Sequence, residues 1–256
     1  MKYNFSFDAY SHNFWPIYEV IKRFYPIGIK RVSNAYFDYP GIKELEAKVA
    51  SNIHDEEAFK SWTQFEEEIS KEYNLKVIGT TYGQAPSYSA DIIIEQTDTE
   101  SFRSIKKLSI AVSLAGDFFT IYGIDETAIK EKGSGEHPIS YPSINVLTAS
   151  PFKEFESIFK GLKKTIETKF TGYKFIPYAV NSMVIDGLQV RYLDDKDECT
   201  VYNALFNQFL DSYDSMFLRG DQYFGYGDWQ TGSIGSVKSV TVFLAPPPPL
   251  TTIKGN

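Results

Sequence analysis

Apolar residues recur at helical spacing through the first quarter of the chain. Ile42, Leu45, Val49 and Ile53 follow the Pro40-Gly41 break at intervals of three or four. Phe59, Trp62, Phe65, Ile69 and Tyr73 repeat the pattern over a longer span, with Asp55 placed to cap it. The spacing predicts two amphipathic helices. Glu56, Glu57, Glu66, Glu67, Glu68 and Glu72 read as the solvated side of the second.

Period-two patterning then takes over. Leu75 and Val77 open one strand, and Ala90, Ile92 and Ile94 mark another. Leu108, Ile110, Val112 and Leu114 alternate with Ser109, Ala111 and Ser113, Ala115-Gly116-Asp117 supplies a turn, and 118–124 returns. Residues 108–124 therefore read as a hairpin. The Gly-, Ser- and Pro-rich stretch 125–149 reads as a loop region that could divide one domain, spanning 1–256, into two lobes. Ser150 and Pro151 open a further predicted helix through Phe152, Phe155, Phe159, Leu162 and Ile166, and Gly172 ends it. Strands are expected near 173–178, 183–192 and 237–244, with a short helix through Val201, Leu205, Phe206 and Phe209. Pro246 to Pro249 make 245–256 an extended tail. The sum is an α+β fold: a mostly antiparallel sheet with amphipathic helices packed on one face.

Composition narrows the chemistry. The 256 residues include 20 Phe, 18 Tyr and 3 Trp but one Cys and three His. Material for a core is ample, and a disulfide framework is absent, as in a reducing compartment. The opening residues lack the apolar run of a signal peptide, and no stretch is long enough to span a bilayer, so a soluble, cytoplasmic protein without membrane contact is expected. The net charge of −7 disfavours a phosphate backbone, and no nucleic-acid partner is expected.

Catalytic equipment is sparse. His12, His54 and His137 have no second ligand at metal spacing, no HExxH or GxSxG occurs, and no metal or cofactor is expected. Cys199 follows Asp197 and Glu198, which oppose a thiolate, and reads as structural. A two-carboxylate hydrolase stays open, with Asp91 and Asp117 the positions of interest. The remaining constellation is acidic and aromatic. From Asp186 to Asp228 there are nine acidic residues, and Tyr223, Tyr226 and Trp229 interleave with Asp221 and Asp228 among glycines. Rings offer contact area at low entropy cost and carboxylates steer a basic partner. Asp194, Asp195, Asp197, Glu198, Asp221, Tyr223, Tyr226, Asp228 and Trp229 are therefore the expected partner-binding surface, with no catalytic residue among them.

Gly116-Asp117-Phe118-Phe119-Thr120-Ile121-Tyr122-Gly123, the Ser150-Pro151 helix start and Gly172-Tyr173-Lys174-Phe175-Ile176-Pro177-Tyr178 together resemble small Bacteroidota-type proteins. Some of these act as immunity proteins beside polymorphic or type VI secreted toxins. The resemblance spans about 75–210 and implies an α+β protein that neutralises a cognate toxin domain by tight binding. It names no functional residue. A structural subunit of a larger assembly is the third reading.

Overall fold

The computed structural model describes residues 12–131, 139–193, 198–211 and 217–231. Three helices come first: α1 (Trp15–Phe24), α2 (Asn34–Phe37) and α3 (Pro40–Val49), the last running into a π-helical turn at Ala50–His54. The long α4 (Glu56–Tyr73) follows. Its limits have local causes. Asp55 Oδ1 accepts from the Ala58 amide at 2.9 Å, and Asn74 ends the helix in the left-handed region at φ 52°.

Five strands then run in order: β1 (Lys76–Gly79), β2 (Ser87–Asp98), β3 (Phe102–Ser113), β4 (Phe118–Glu131) and β5 (Ile139–Thr148). After them come α5 (Glu156–Lys169), the two-residue β6 (Lys174–Phe175), α6 (Tyr178–Asn181), α7 (Val201–Leu205) and β7 (Phe217–Arg219). Neighbouring strands lie in the order β1-β2-β3-β4-β5-β7, with β6 on β4. Every pair is antiparallel except β4–β6 and β5–β7. The expected α+β class with a mostly antiparallel sheet is what the chain adopts.

Alternation along the central strands sorts their side chains between two cores. Ala90, Ile92, Leu108, Ile110, Phe119 and Ile121 meet Trp62, Phe65 and Ile69 of α4 and Phe159, Leu162 and Ile166 of α5. Ala111, Phe118, Tyr122, Ile124 and Leu147 point the other way, onto Ile17, Ile21 and Phe24 of α1, Leu45 of α3 and Leu205 of α7. The two long amphipathic helices, α4 and α5, do share one face. Helical cover on that face alone is too narrow a picture, because the N-terminal helices and α7 cover the other.

Three local expectations need correction. Residues 139–148, expected as part of a loop, form β5, which pairs with β4 from Gly123↔Thr148 to Glu131↔Ile139. The helix expected from Ser150 starts later: Phe152 is extended, Lys153 takes φ 48°, and a 3₁₀ turn at Lys153–Phe155 precedes α5. Ser150 Oγ instead accepts from the Asp221 amide at 2.8 Å. Residues 183–192 make no ladder, only a bridge between Val184 and Thr200, because Leu188 N turns back to Ile185 O and the segment buries Ile185, Leu188 and Val190 as a loop. The expected strand 237–244 and the Pro-rich tail lie outside the described residues.

The contact between α1 and α3 turns on Gly41. A Cβ there would stand 2.0 Å from the Arg23 carbonyl oxygen, a backbone atom with no rotamer to escape into. Helix propensity alone favours alanine over glycine by about 1 kcal/mol. Overpacking costs about 1–3 kcal/mol and wins. Gly41→Ala is therefore expected to lower the urea midpoint at unchanged m-value; a variant as stable as wild type would show that the two helices are not held at this distance.

Candidate functional site

The acidic, aromatic loop does not present its rings outward as a set. Trp229 is only 2% exposed, and its Nε1 donates to the Phe175 carbonyl at 2.8 Å. Its ring packs with Phe14 and Phe118, and the Lys174 ammonium lies 5.1 Å above it. Trp229 is thus a core residue and not part of a docking surface. The reason lies four residues earlier: Gly225, at φ +92°, presses the backbone so close to Phe175 that a Cβ would meet that ring at 2.5 Å. Phe224 is half-buried against Phe159 and Phe175. Tyr226 is half-buried, edge-on to His12 and Phe14 at 4.9 and 5.1 Å. Burial pushes its phenol up to about 12.

What stays outside is smaller. Tyr223 is 53% exposed and meets Tyr226 edge-on at 5.2 Å. Asp221 is exposed, but its Oδ1 accepts from the Tyr223 amide at 2.9 Å, a turn-forming bond. Asp228 pairs with Lys163 at 3.2 Å. Glu198 is exposed beside the buried Cys199. Asp194, Asp195 and Asp197 lie outside the described residues.

A second surface lies on the sheet, in the part read as a loop. Register places Phe102 opposite Ile129 and Ile129 opposite Tyr141, one row across β3, β4 and β5. These side chains lie on the face that α4 and α5 cover further along, because Phe102 keeps the parity of Leu108 and Ile110. Here the helices have ended. Phe102, Ile129 and Tyr141 are 40, 60 and 53% exposed. Phe217 of β7, 69% exposed, pairs with Val146 of β5 and shares the face. At the same strand positions the opposite face is closed: Ile105, Glu126, Ala128 and Ile144 are buried. Exposed apolar side chains scattered singly need no explanation, but three in cross-strand register with a fourth nearby form a patch. The signal in the sequence was faint: Thr127, Ile129, Tyr141, Ile144 and Val146 are strand formers, but glycines and prolines around them masked the alternation.

Between this row and the end of α5 sits a mixed charge cluster. Lys106 pairs with Glu95 at 3.0 Å, and Arg219 with Glu154 at 2.8 Å. Asp125 is left over: its Oδ1 is buried without a hydrogen-bond partner. Burial raises the Asp125 carboxyl above its ordinary 3.8, Arg219 pulls it back, and Glu154 pushes it up again. The apolar row therefore adjoins a carboxyl group with one oxygen short of a hydrogen bond and the Arg219 and Lys106 charges close by.

The carboxylates proposed for hydrolysis are not brought together as a pair. Asp117 is exposed in the β3–β4 turn, whereas Asp91 sits opposite Ser109, more than four residues back along β3. That separation is at least about 13 Å at strand rise, too far for paired carboxyl chemistry. Asp91 has a different neighbour in Glu126. Lys107 Nζ lies 2.8 Å from Asp91 Oδ2 and 3.0 Å from Glu126 Oε2, and all three residues are buried. Arg103 joins at 3.2 Å from Glu126. The ammonium fills the space that a scissile bond would need. Burial pushes Lys107 down, but the two carboxylates outweigh it, and its pKa stands above the ordinary 10.5. Among the described residues no group of three His, Cys, Asp or Glu side chains could hold a metal ion, and no helix is long and apolar enough to cross a membrane.

No family model matches the chain, and neither a curated protein nor a solved structure matches it.

Two stability measurements test this electrostatic account. Lys107→Met leaves two buried carboxylates facing each other and is expected to cost about 3–5 kcal/mol at pH 7. A raised lysine contributes in full below its ordinary value and loses that contribution as pH climbs through the folded one. The difference between wild type and variant should therefore narrow above pH 10.5; a difference that is small at pH 7 would remove the bridge from the account. For Asp125 the sign is opposite. A raised carboxyl penalises the fold only once ionised, so Asp125→Asn should match wild type at low pH, where the carboxyl is protonated. At pH 7 it should exceed wild type by up to about 1 kcal/mol, a modest gain because the group is partly solvated.

Proposed function

We propose that this chain is a non-catalytic binding protein that holds a basic protein partner, in the manner of the immunity proteins it resembles. The row Phe102–Ile129–Tyr141 carries the reading: a sheet face with large side chains in register, uncovered where the opposite face is closed. Aromatic and aliphatic anchors of this kind supply most of the energy of a protein interface. The occupant is a partner with apolar side chains beside a lysine or arginine, because the chain as a whole is acidic. A toxin domain with a basic active face has this chemistry, and capping that face would silence it without any reaction. The loop surface, with Tyr223 exposed beside a turn-bonded Asp221 and Asp228 paired to Lys163, offers less area. A hydrolase has less support, since Lys107 separates the two nearest buried carboxylates.

Co-expression tests the proposal. The chain is expressed beside the product of a neighbouring gene that arrests growth when expressed alone, and growth is scored for wild type, Ile129→Asp with Tyr141→Ala, and Tyr223→Ala with Asp221→Asn. Each exposed substitution should leave the unfolding free energy near wild type, within about 0.5 kcal/mol. Protection is expected from wild type and from the loop variant, and to fail in the sheet variant, with affinity at least about 100-fold lower. Loss only in the loop variant would move the docking face to 217–229. Self-association of wild type that the sheet variant abolishes, with no protection by either, would instead make this face a subunit contact.

A further inference from the structure

The sheet's other face contains a cavity that neither core fills. Its volume is about 220 Å³, and its floor is made by Ser89 and Asp91 of β2, Ser109 of β3, and Thr120 and Tyr122 of β4. Strand register places Ser89 in line with Ala111 and Thr120, and Asp91 in line with Ser109 and Tyr122. These positions lie mid-sheet, where alternation would ordinarily put aliphatic side chains. Asn207 and Phe209, just past α7, close one side, and Tyr82 stands at the rim, 41% exposed.

The polar groups are held from behind and left with capacity toward the cavity. Asp91 accepts from Ser109 Oγ on one carboxylate oxygen and from Lys107 on the other. A carboxylate has about four acceptor sites, so roughly two remain. Ser89 Oγ accepts from Thr80 Oγ1 at 3.1 Å and keeps its own proton to donate. Asn181 Nδ2 lies within hydrogen-bond reach of Tyr122 OH, Thr120 Oγ1 and the Ile176 carbonyl, three acceptors around its two N–H groups. Burial holds the Tyr122 phenol well above its ordinary value, although hydrogen bonds with Thr120 and Asn181 pull it back, so the group stays a neutral hydroxyl. Asn207 Oδ1 is fixed by Tyr202 OH at 2.7 Å and the Phe209 amide at 2.9 Å, which orients its amide.

Charge and size select the ligand. An anion would face Asp91, and a cation would compete with Lys107, which already neutralises that carboxylate from 2.8 Å. An uncharged molecule with several hydroxyls meets neither penalty. It can donate to Asp91 and exchange bonds with Ser89, Ser109 and Tyr122, while Phe209 and Tyr82 add to the wall. The volume equals about seven waters at ~30 Å³ each, the scale of one sugar ring. We infer that this cavity is a binding site for a neutral monosaccharide-sized polyol. It lies on the opposite side of the sheet from the docking face and does not depend on that reading.

The test titrates the full chain with D-glucose, D-galactose, D-mannose and N-acetyl-D-glucosamine, and with D-glucose 6-phosphate as the charged comparison, following backbone amide shifts by NMR. Saturable binding of at least one neutral sugar is expected, with Kd near or below about 1 mM and the largest shifts at Ser89, Ser109 and Thr120. Asp91→Asn and, because that change disturbs the Lys107 bridge, the milder Tyr122→Phe and Ser109→Ala should each weaken it about ten-fold. Ile129→Asp should leave it unchanged. Shifts that do not saturate by about 50 mM for any neutral sugar, equal binding by both milder variants, or tighter binding of the phosphate would overturn the assignment.

Discussion

The register of the β3–β4 hairpin is the constraint from which the rest follows. It runs without a shift from Phe102↔Ile129 to Val112↔Phe119. Side chains alternate with period two, so a slip of one residue would exchange every inward position for an outward one. The observed register sends Leu108, Ile110, Phe119 and Ile121 under α4 and α5. The same choice sends Lys107, Ser109 and Tyr122 to the other side, where the ion bridge and the polar cavity form. It also carries Phe102 and Ile129 past the ends of the helices on the first face.

Packing then decides how much of each face is used. Gly123 of β4 lets the Phe155 ring approach so closely that a Cβ would meet it at 2.8 Å, bringing the 3₁₀ turn before α5 down onto the sheet. Arg219 stacks over Phe155 and reaches Thr148 and Glu154, tying the short β7 to that turn. Beyond this point the first face has no helical cover among the described residues. The uncovered patch is thus a consequence of helix length against strand length: β3 and β4 run on past the point where α5 starts. Among the described residues β7 pairs with β5 only from Val146 to Thr148, and Pro142, beyond that pairing, has no N–H to offer a further strand.

The buried bridge sets a different tension. Asp91, Lys107 and Glu126 are sequestered together, and ions so placed gain little over apolar side chains of similar volume. Their value is positional. Lys107 holds Asp91 from one side while Ser109 holds it from the other, so the carboxylate reaches the cavity in a single orientation. Tyr122 is fixed in the same way through Asn181. Binding groups that are already ordered give up little entropy when a ligand arrives.

Local signals were legible where neighbours along the chain settled an element, and failed at Ser150, which a distant amide from Asp221 claims. Asp55 capped α4, the 108–124 alternation made a hairpin, and the α+β class followed from counting such segments. The sheet partner of β4 was not legible. Residues 139–148 carry strand formers, but Pro142 and the neighbouring glycines conceal their alternation, and only pairing with β4 defines them as a strand. Nor could exposure be read: Trp229 and Tyr223 sit six residues apart in one Gly-rich loop, and only its seating on Phe175 turns one ring inward and leaves the other outside. The sequence by itself determined the α+β class, the amphipathic helices α4 and α5 and the 108–124 hairpin, because those depend on neighbours along the chain. The tertiary structure decided which surfaces stay open and which charges meet, because both depend on residues brought together from distant parts of it.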